Sequence, residues 1–164
     1  MSDCDSPEIR RYEPGEEEAI WEVVYQATHE SNARDYHPDL IDRWAPHDQD
    51  LVKWAERVGS TNPFVALLEG EIVGMAEVNA DGFIDYFYVH PNFQSRGVGK
   101  ALLSCLIAES KPRGVDKLFA YVSITAQPFF SSQGFRITES HSNVIQGHPA
   151  PNFSMERRLD GSDA

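Results

Sequence analysis

The segment Gln94-Ser95-Arg96-Gly97-Val98-Gly99-Lys100 has the residue types and spacing of an anion cradle. Before it runs Gly82 to His90, rich in aromatic and β-branched residues and stopped by Pro91-Asn92. After it comes an apolar stretch closed by Pro112 and Gly114. The segment therefore joins a strand to a helix, and the unbonded amides at the start of that helix coincide with the positive end of its dipole. Such a place binds phosphate. Gly97 and Gly99 lack a Cβ, which lets a diphosphate approach the main chain, and Arg96 and Lys100 add positive charge.

Two other phosphate loops are excluded by single residues. A P-loop needs a glycine where Gln94 stands and a hydroxyl where Ala101 stands. A dinucleotide loop needs a third glycine at Leu102 and a run of parallel strand-helix units that this chain does not show.

The elements that must position this segment follow from the periodicity. Glu8 to Tyr12 reads as a first strand and residues 15 to 31 as a helix. His37-Pro38 and Ala45-Pro46-His47-Asp48 punctuate a loop, and a second short helix ends at Gly59. Phe64 to Leu68 and Ile72 to Val78 flank Glu69-Gly70-Glu71 as a hairpin, followed by the strand to His90. A helix from about Gly97 to Ser110, a strand Lys117 to Ser123, a short helix Thr125 to Gln133 and a strand Phe135 to Glu139 come next. A turn at 146–149 and the run Asn152 to Leu159 complete a closing hairpin. Strands outnumber helices, with one strand-helix-strand crossover near the middle.

The 164 residues are enough for one domain, expected over 8–159 with flexible ends at 1–7 and 160–164. Apolar residues at 41% argue for a packed core, and no run approaches the ~18 apolar residues of a membrane helix. Without a signal-peptide layout, and with Cys4 and Cys105 placed as no disulfide pair, a cytoplasmic location is expected, with no membrane partner. Cys105 lies in an apolar stretch and reads as core filler. A formal net charge of -12 repels nucleic acid, so none is expected as a partner, and any phosphate must be held by local geometry. That charge suits a cationic or neutral acceptor. The six histidines show no metal-ligand spacing, so no metal is expected.

The run Tyr88 to Leu103 resembles the acetyl-CoA signature of the GCN5-related N-acetyltransferases (GNAT), Gln/Arg-x-x-Gly-x-Gly/Ala. Ser123 to Phe135 is similar to the family's second cofactor-facing segment, in wording that resembles the YafP-type bacterial branch. The resemblance implies an α/β (α+β) fold: a mixed, mostly antiparallel sheet of about six or seven strands, flanked by about four helices and splayed into a V-shaped cleft. It implies acetyl-CoA as cosubstrate, held by Phe87, Tyr88, Val89, Gln94, Ser95, Arg96, Gly97, Val98, Gly99, Lys100, Ser123, Ala126, Phe129 and Phe130. The Val89 amide would polarise the thioester carbonyl. A primary amine, on a small molecule or a protein, would then attack directly in a ternary complex.

An attacking amine must be neutral, so the resemblance implies a carboxylate base. Asp85, which interrupts an apolar strand, is the first candidate, and Glu77 the second. In place of the family's asparagine and proton-donating tyrosine stand Ser123 and Phe130, which leaves the departing thiolate to water, to another tyrosine such as Tyr121 or Tyr88, or to no acid at all. The departure keeps a second reading open, an acyl-CoA-binding module with little catalytic power. His29 and His37, near Tyr25, Glu30 and Tyr36, fall where the family folds over its acceptor, although a surface role suits each singly. A homodimer is compatible with the family pattern.

Overall fold

The computed structural model describes residues 6–159. The expected tail 160–164, most of the expected flexible start and Cys4 lie outside the described residues. In chain order the first elements are β1 (Glu8–Arg11), α1 (Glu17–Gln26), α2 (Pro38–Trp44), α3 (Leu51–Thr61), β2 (Phe64–Leu68), β3 (Glu71–Val78) and β4 (Ile84–Val89). Then follow α4 (Val98–Ser110), β5 (Lys117–Ser123), α5 (Gln127–Ser132), β6 (Arg136–His141), β7 (Val144–Ile145), β8 (His148–Pro149) and β9 (Asn152–Arg158).

Among the described residues the strands form two main antiparallel sheets, ordered β1-β2-β3-β4 and β5-β9-β6, and a small β7-β8 pair. The β2-β3 hairpin closes on Glu69 and Gly70, at φ of 53° and 80°, the two left-handed residues that a twisted two-residue turn requires. The two main sheets meet at a single parallel bridge, Phe83 to Phe119, where the Phe119 amide donates to Gly82 O at 3.0 Å. Gly82 permits that approach, since a Cβ there would stand 2.3 Å from Lys117 O.

Two apolar layers hold the larger sheet. Val98, Leu102, Leu103 and Leu106 of α4 pack on one face with Ala66, Ala76, Ile84 and Leu118. Ile20 and Val24 of α1 and Trp54 and Val58 of α3 pack on the other with Val65 and Met75. Each of these helices thus buries one stripe against the sheet. A third cluster joins Tyr36, Leu40 and Ile41 at α2 to Ala150 beyond β8.

Four local expectations are corrected. The expected 15–31 helix is α-helical only to Gln26 and widens into a π-turn over Ala27–Ser31, where the Thr28 hydroxyl donates to Val24 O at 2.8 Å. The segment expected as loop after His37 contains α2, capped by the His37 ring on the Asp39 amide, with Pro38 at its first position. Helix α3 continues past Gly59 to Thr61, because Asn62 at φ 48° takes the left-handed cap. The turn at 146–149 closes its own small hairpin, while β9 inserts between β5 and β6.

Candidate functional site

Strict alternation along β4 would put Ile84 and Tyr86 on one face. The register with β3 shifts instead between Ala76 and Val78, so that one extra β4 residue opposes Glu77. The bulge puts Ile84, Phe87 and Val89 with the α4 cluster, and Tyr86 and Tyr88 with the α1–α3 cluster. Past the bridge at Phe83, β4 and β5 form no further ladder among the described residues. The strands splay, and a cleft of about 610 Å³ opens between them.

Helix α4 begins at the cleft. Ala101 donates the first helical hydrogen bond, to Gly97 O at 3.0 Å, which leaves the amides of Val98, Gly99 and Lys100 without intrahelical acceptors. No side chain caps this end. Ser95 and Gly97 take left-handed φ of 61° and 82°, and both line the cleft. A Cβ on Gly97 would meet nothing within 4 Å, whereas one on Gly99 would stand 2.9 Å from the Phe129 ring. Gly99 is thus required by the seating of α5 against α4 as well as by any bound phosphate.

Gln94, Ser95, Gly97, Val98, Gly99 and Lys100 all line the cleft. So do Phe87, Tyr88 and Val89 on β4 and Ser123, Ala126, Phe129 and Phe130 at α5. Arg96 is not part of the lining, and its guanidinium sits 5.4 Å from the centroid of Phe93. The Ser123 hydroxyl accepts from the Ala126 amide at 3.1 Å and so fixes the start of α5. Phe130 packs with its ring 5.0 Å from Phe135 and 5.4 Å from Phe87 at the cleft wall.

The two candidate bases converge on one cation that the sequence did not reveal. Arg57 of α3 holds both oxygens of Glu77, and its Nη2 reaches Asp85 Oδ2 at 3.2 Å. The same guanidinium lies 3.8 Å from the Tyr86 ring centroid. Burial opposes its charge, but the Glu77 bond and the neighbouring carboxylates outweigh that and raise its pKa. Glu77 is buried and does not line the cleft, whereas the half-exposed Asp85 does. Tyr121 is 67% exposed and lines the cleft from β5. Burial pushes the Tyr88 phenol up to about 12, so it stays a proton donor at neutral pH.

A second cavity of about 300 Å³ adjoins the first, and Asn32, Tyr88, Tyr121 and Ser123 belong to both linings. Its walls come from the turn after the π-turn, from α2, and from the β7–β8 region. The sequence missed these contributors because they converge from residues 28–44 and 143–152. Tyr36 braces them, donating to Pro151 O at 2.6 Å and accepting from the Ile124 amide at 2.9 Å.

Histidines without metal spacing in sequence are grouped by the fold. His29, Asp42 and His47 form one set, and His37, Asp39 and His148 another, each with candidate ligand atoms within 4.8 Å. One nitrogen of His37 and one of His29 are engaged: His37 Nδ1 accepts from the Asp39 amide at 3.1 Å, and His29 Nε2 lies 2.7 Å from Ala45 O. Cys105 is partly buried, and that burial raises its thiol pKa, in keeping with a packing role.

The cleft, the uncapped α4 start and the bulged β4 can be set beside known proteins. The acetyltransferase (GNAT) domain family matches residues 32–156. The chain is 30% identical over 148 residues to the uncharacterized N-acetyltransferase YafP of Escherichia coli (strain K12), covering 90% of this chain and 93% of YafP. It belongs to the GNAT acetyltransferase family. The solved GCN5-related N-acetyltransferase of Rhodopseudomonas palustris superposes on this GNAT domain with a TM-score of 0.84 at 28% identity, covering 93% and 95% of the two chains. The PaiA N-acetyltransferase of Thermoplasma acidophilum, solved with coenzyme A, shares the fold at a TM-score of 0.73 and 20% identity, over 93% and 99%. YncA of Salmonella typhimurium, solved with acetyl-CoA, does so at 0.71 and 22%, over 97% of each chain. Among the described residues no helix is long and apolar enough to cross a membrane.

Proposed function

We propose that this GNAT protein moves an acetyl group from acetyl-CoA to an amine by direct attack in a ternary complex. The observation that carries the reading is the uncapped start of α4 opening into a cleft whose far end runs into a second cavity. The amides of Val98, Gly99 and Lys100 would bind the pyrophosphate. The pantetheine arm would lie between β4 and β5 and bring the thioester to the residues shared by both cavities. There the Val89 amide is the candidate donor to the developing oxyanion. A family member solved with coenzyme A and another with acetyl-CoA support this choice of cosubstrate.

Tyr88 answers the difficulty raised by Phe130. Tyr88 belongs to both linings and its phenol is protonated at neutral pH, so it is the candidate acid for the leaving thiolate. Asp85, rather than Glu77, is the carboxylate positioned to take a proton, directly or through water. Tyr121 shares the wall from the exposed side.

Calorimetric titration with coenzyme A, and thiol release from acetyl-CoA with an amine panel, test the reading together. Binding with amine-dependent thiol release is expected. Binding without release on any amine would leave only a cofactor-binding module, and no binding would reject the α4 cradle.

A further inference from the structure

The second cavity contrasts with the rest of the molecule. The chain carries a net charge of -12, yet every residue that lines this cavity is uncharged. Tyr36, Trp44, Tyr88 and Tyr121 present aromatic rings, and Asn143 and Asn152 present amides. Tyr36 and Trp44 meet edge to face, with centroids 4.9 Å apart. At about 300 Å³ the space has room for a ligand of one or two rings.

Building on the acetyltransferase reading above, we propose that the acceptor is a small aromatic amine, with its ring among Tyr36, Trp44 and Tyr121 and its nitrogen at the wall shared with the cleft. A polyamine or aminoglycoside would bring several ammonium groups against walls that offer no carboxylate, with only ring faces and side-chain amides to offset their desolvation. An aromatic body instead meets ring edges and faces at low entropic cost.

The proton chemistry points the same way. Of the residues lining either cavity, Asp85 alone carries a carboxylate, and it is bonded to Arg57 at 3.2 Å. An alkylamine is protonated at neutral pH and needs a base before it can attack. In an aromatic amine the nitrogen lone pair is delocalised into the ring, so the neutral form already dominates. Its lone pair attacks the thioester carbonyl carbon, the C–N bond forms, and the C–S bond breaks with its electron pair leaving on sulfur. The nitrogen then loses one proton and the sulfur gains one, giving the N-aryl acetamide and free coenzyme A thiol.

The test is thiol release from acetyl-CoA with p-anisidine and 4-aminophenol against spermidine, kanamycin and a lysine amide, alongside calorimetric titration of coenzyme A. The aromatic amines are expected to exceed the others in kcat/KM by at least about tenfold. Trp44→Ala should raise KM for p-anisidine about tenfold and leave coenzyme A affinity unchanged. Asn143→Asp, at an exposed position, should shift the preference toward the cationic amines. It serves if the Trp44 variant does not fold. Turnover of spermidine or the lysine amide with none of the aromatic amines would overturn this acceptor while leaving the transferase intact. Coenzyme A binding with no thiol release on any amine would overturn the acceptor and reduce the protein to a binding module. No coenzyme A binding would overturn both.

Discussion

Arg57→Leu tests the physical account of the carboxylates beside the cleft. The side chain of Glu77 is 4% exposed and that of Arg57 26%, and the pair is engaged through both carboxylate oxygens. Removing one partner of a buried pair costs about 3–5 kcal/mol, because the remaining charge is stranded, and partial access of water to Arg57 favours the lower figure. At about 3 kcal/mol, and about 2–4 °C per kcal/mol for a chain of this size, Tm should fall by roughly 6–12 °C. Arg57→Leu/Glu77→Leu should recover most of the loss, since no buried charge is then left unpaired. Urea unfolding of the three proteins at neutral pH reads this directly. A loss below about 1 kcal/mol, or a double variant no more stable than the single one, would refute the claim that Arg57 compensates a buried charge.

The other predictions concern the site and the acid limb. Tyr88→Phe should lower kcat by about a hundredfold with little change in coenzyme A affinity; an unchanged kcat would remove the phenol as the acid. Because burial pushes that phenol up to about 12, the pH-rate profile should show no alkaline limb from it in the neutral to mildly alkaline range. Gly99→Ala should push the Phe129 ring toward the cleft and weaken coenzyme A binding about tenfold, and Gly99→Glu more so. Gly97→Ala has open space at its Cβ, so its cost should be about 1–2 kcal/mol of backbone strain, read by thermal unfolding. Asp85→Asn should reduce kcat more than coenzyme A affinity, and an unaltered pH-rate profile would remove it as the base. Glu16 and Glu156 are held below the ordinary glutamate pKa by hydrogen bonds, from Arg10 and from Arg136 and Lys117 respectively. Their stabilisation is present above the ordinary value and lost as pH falls through the lowered ones, so Glu156→Gln should flatten the acid limb of the stability curve.

The sequence by itself determined what local chemistry determines. Gly97 and Gly99 at the end of an aromatic strand and the start of an apolar helix specify an uncapped helix end, and β5 occupies Lys117–Ser123 as its residue types require. The α2 helix was legible too, in Pro38 at its first turn and the adjacent apolar pair Leu40 and Ile41, but the neighbouring prolines masked it. What the sequence could not carry were relations between segments far apart in the chain. Arg57 meets Glu77 and Asp85 only because the bulge gives β4 an extra residue opposite Glu77, and no one-dimensional pattern records which strand is bulged. Gly99 gained a second reason in the same way, the approach of Phe129, thirty residues away in sequence. The second cavity shows the limit most fully. Overall charge suited a cationic or neutral acceptor without choosing between them, whereas tertiary packing draws Tyr36, Trp44, Asn143 and Asn152 into one uncharged wall. A binding site responds to the charges within a few ångströms of the ligand, which solvent does not screen, and those neighbours are chosen by the fold.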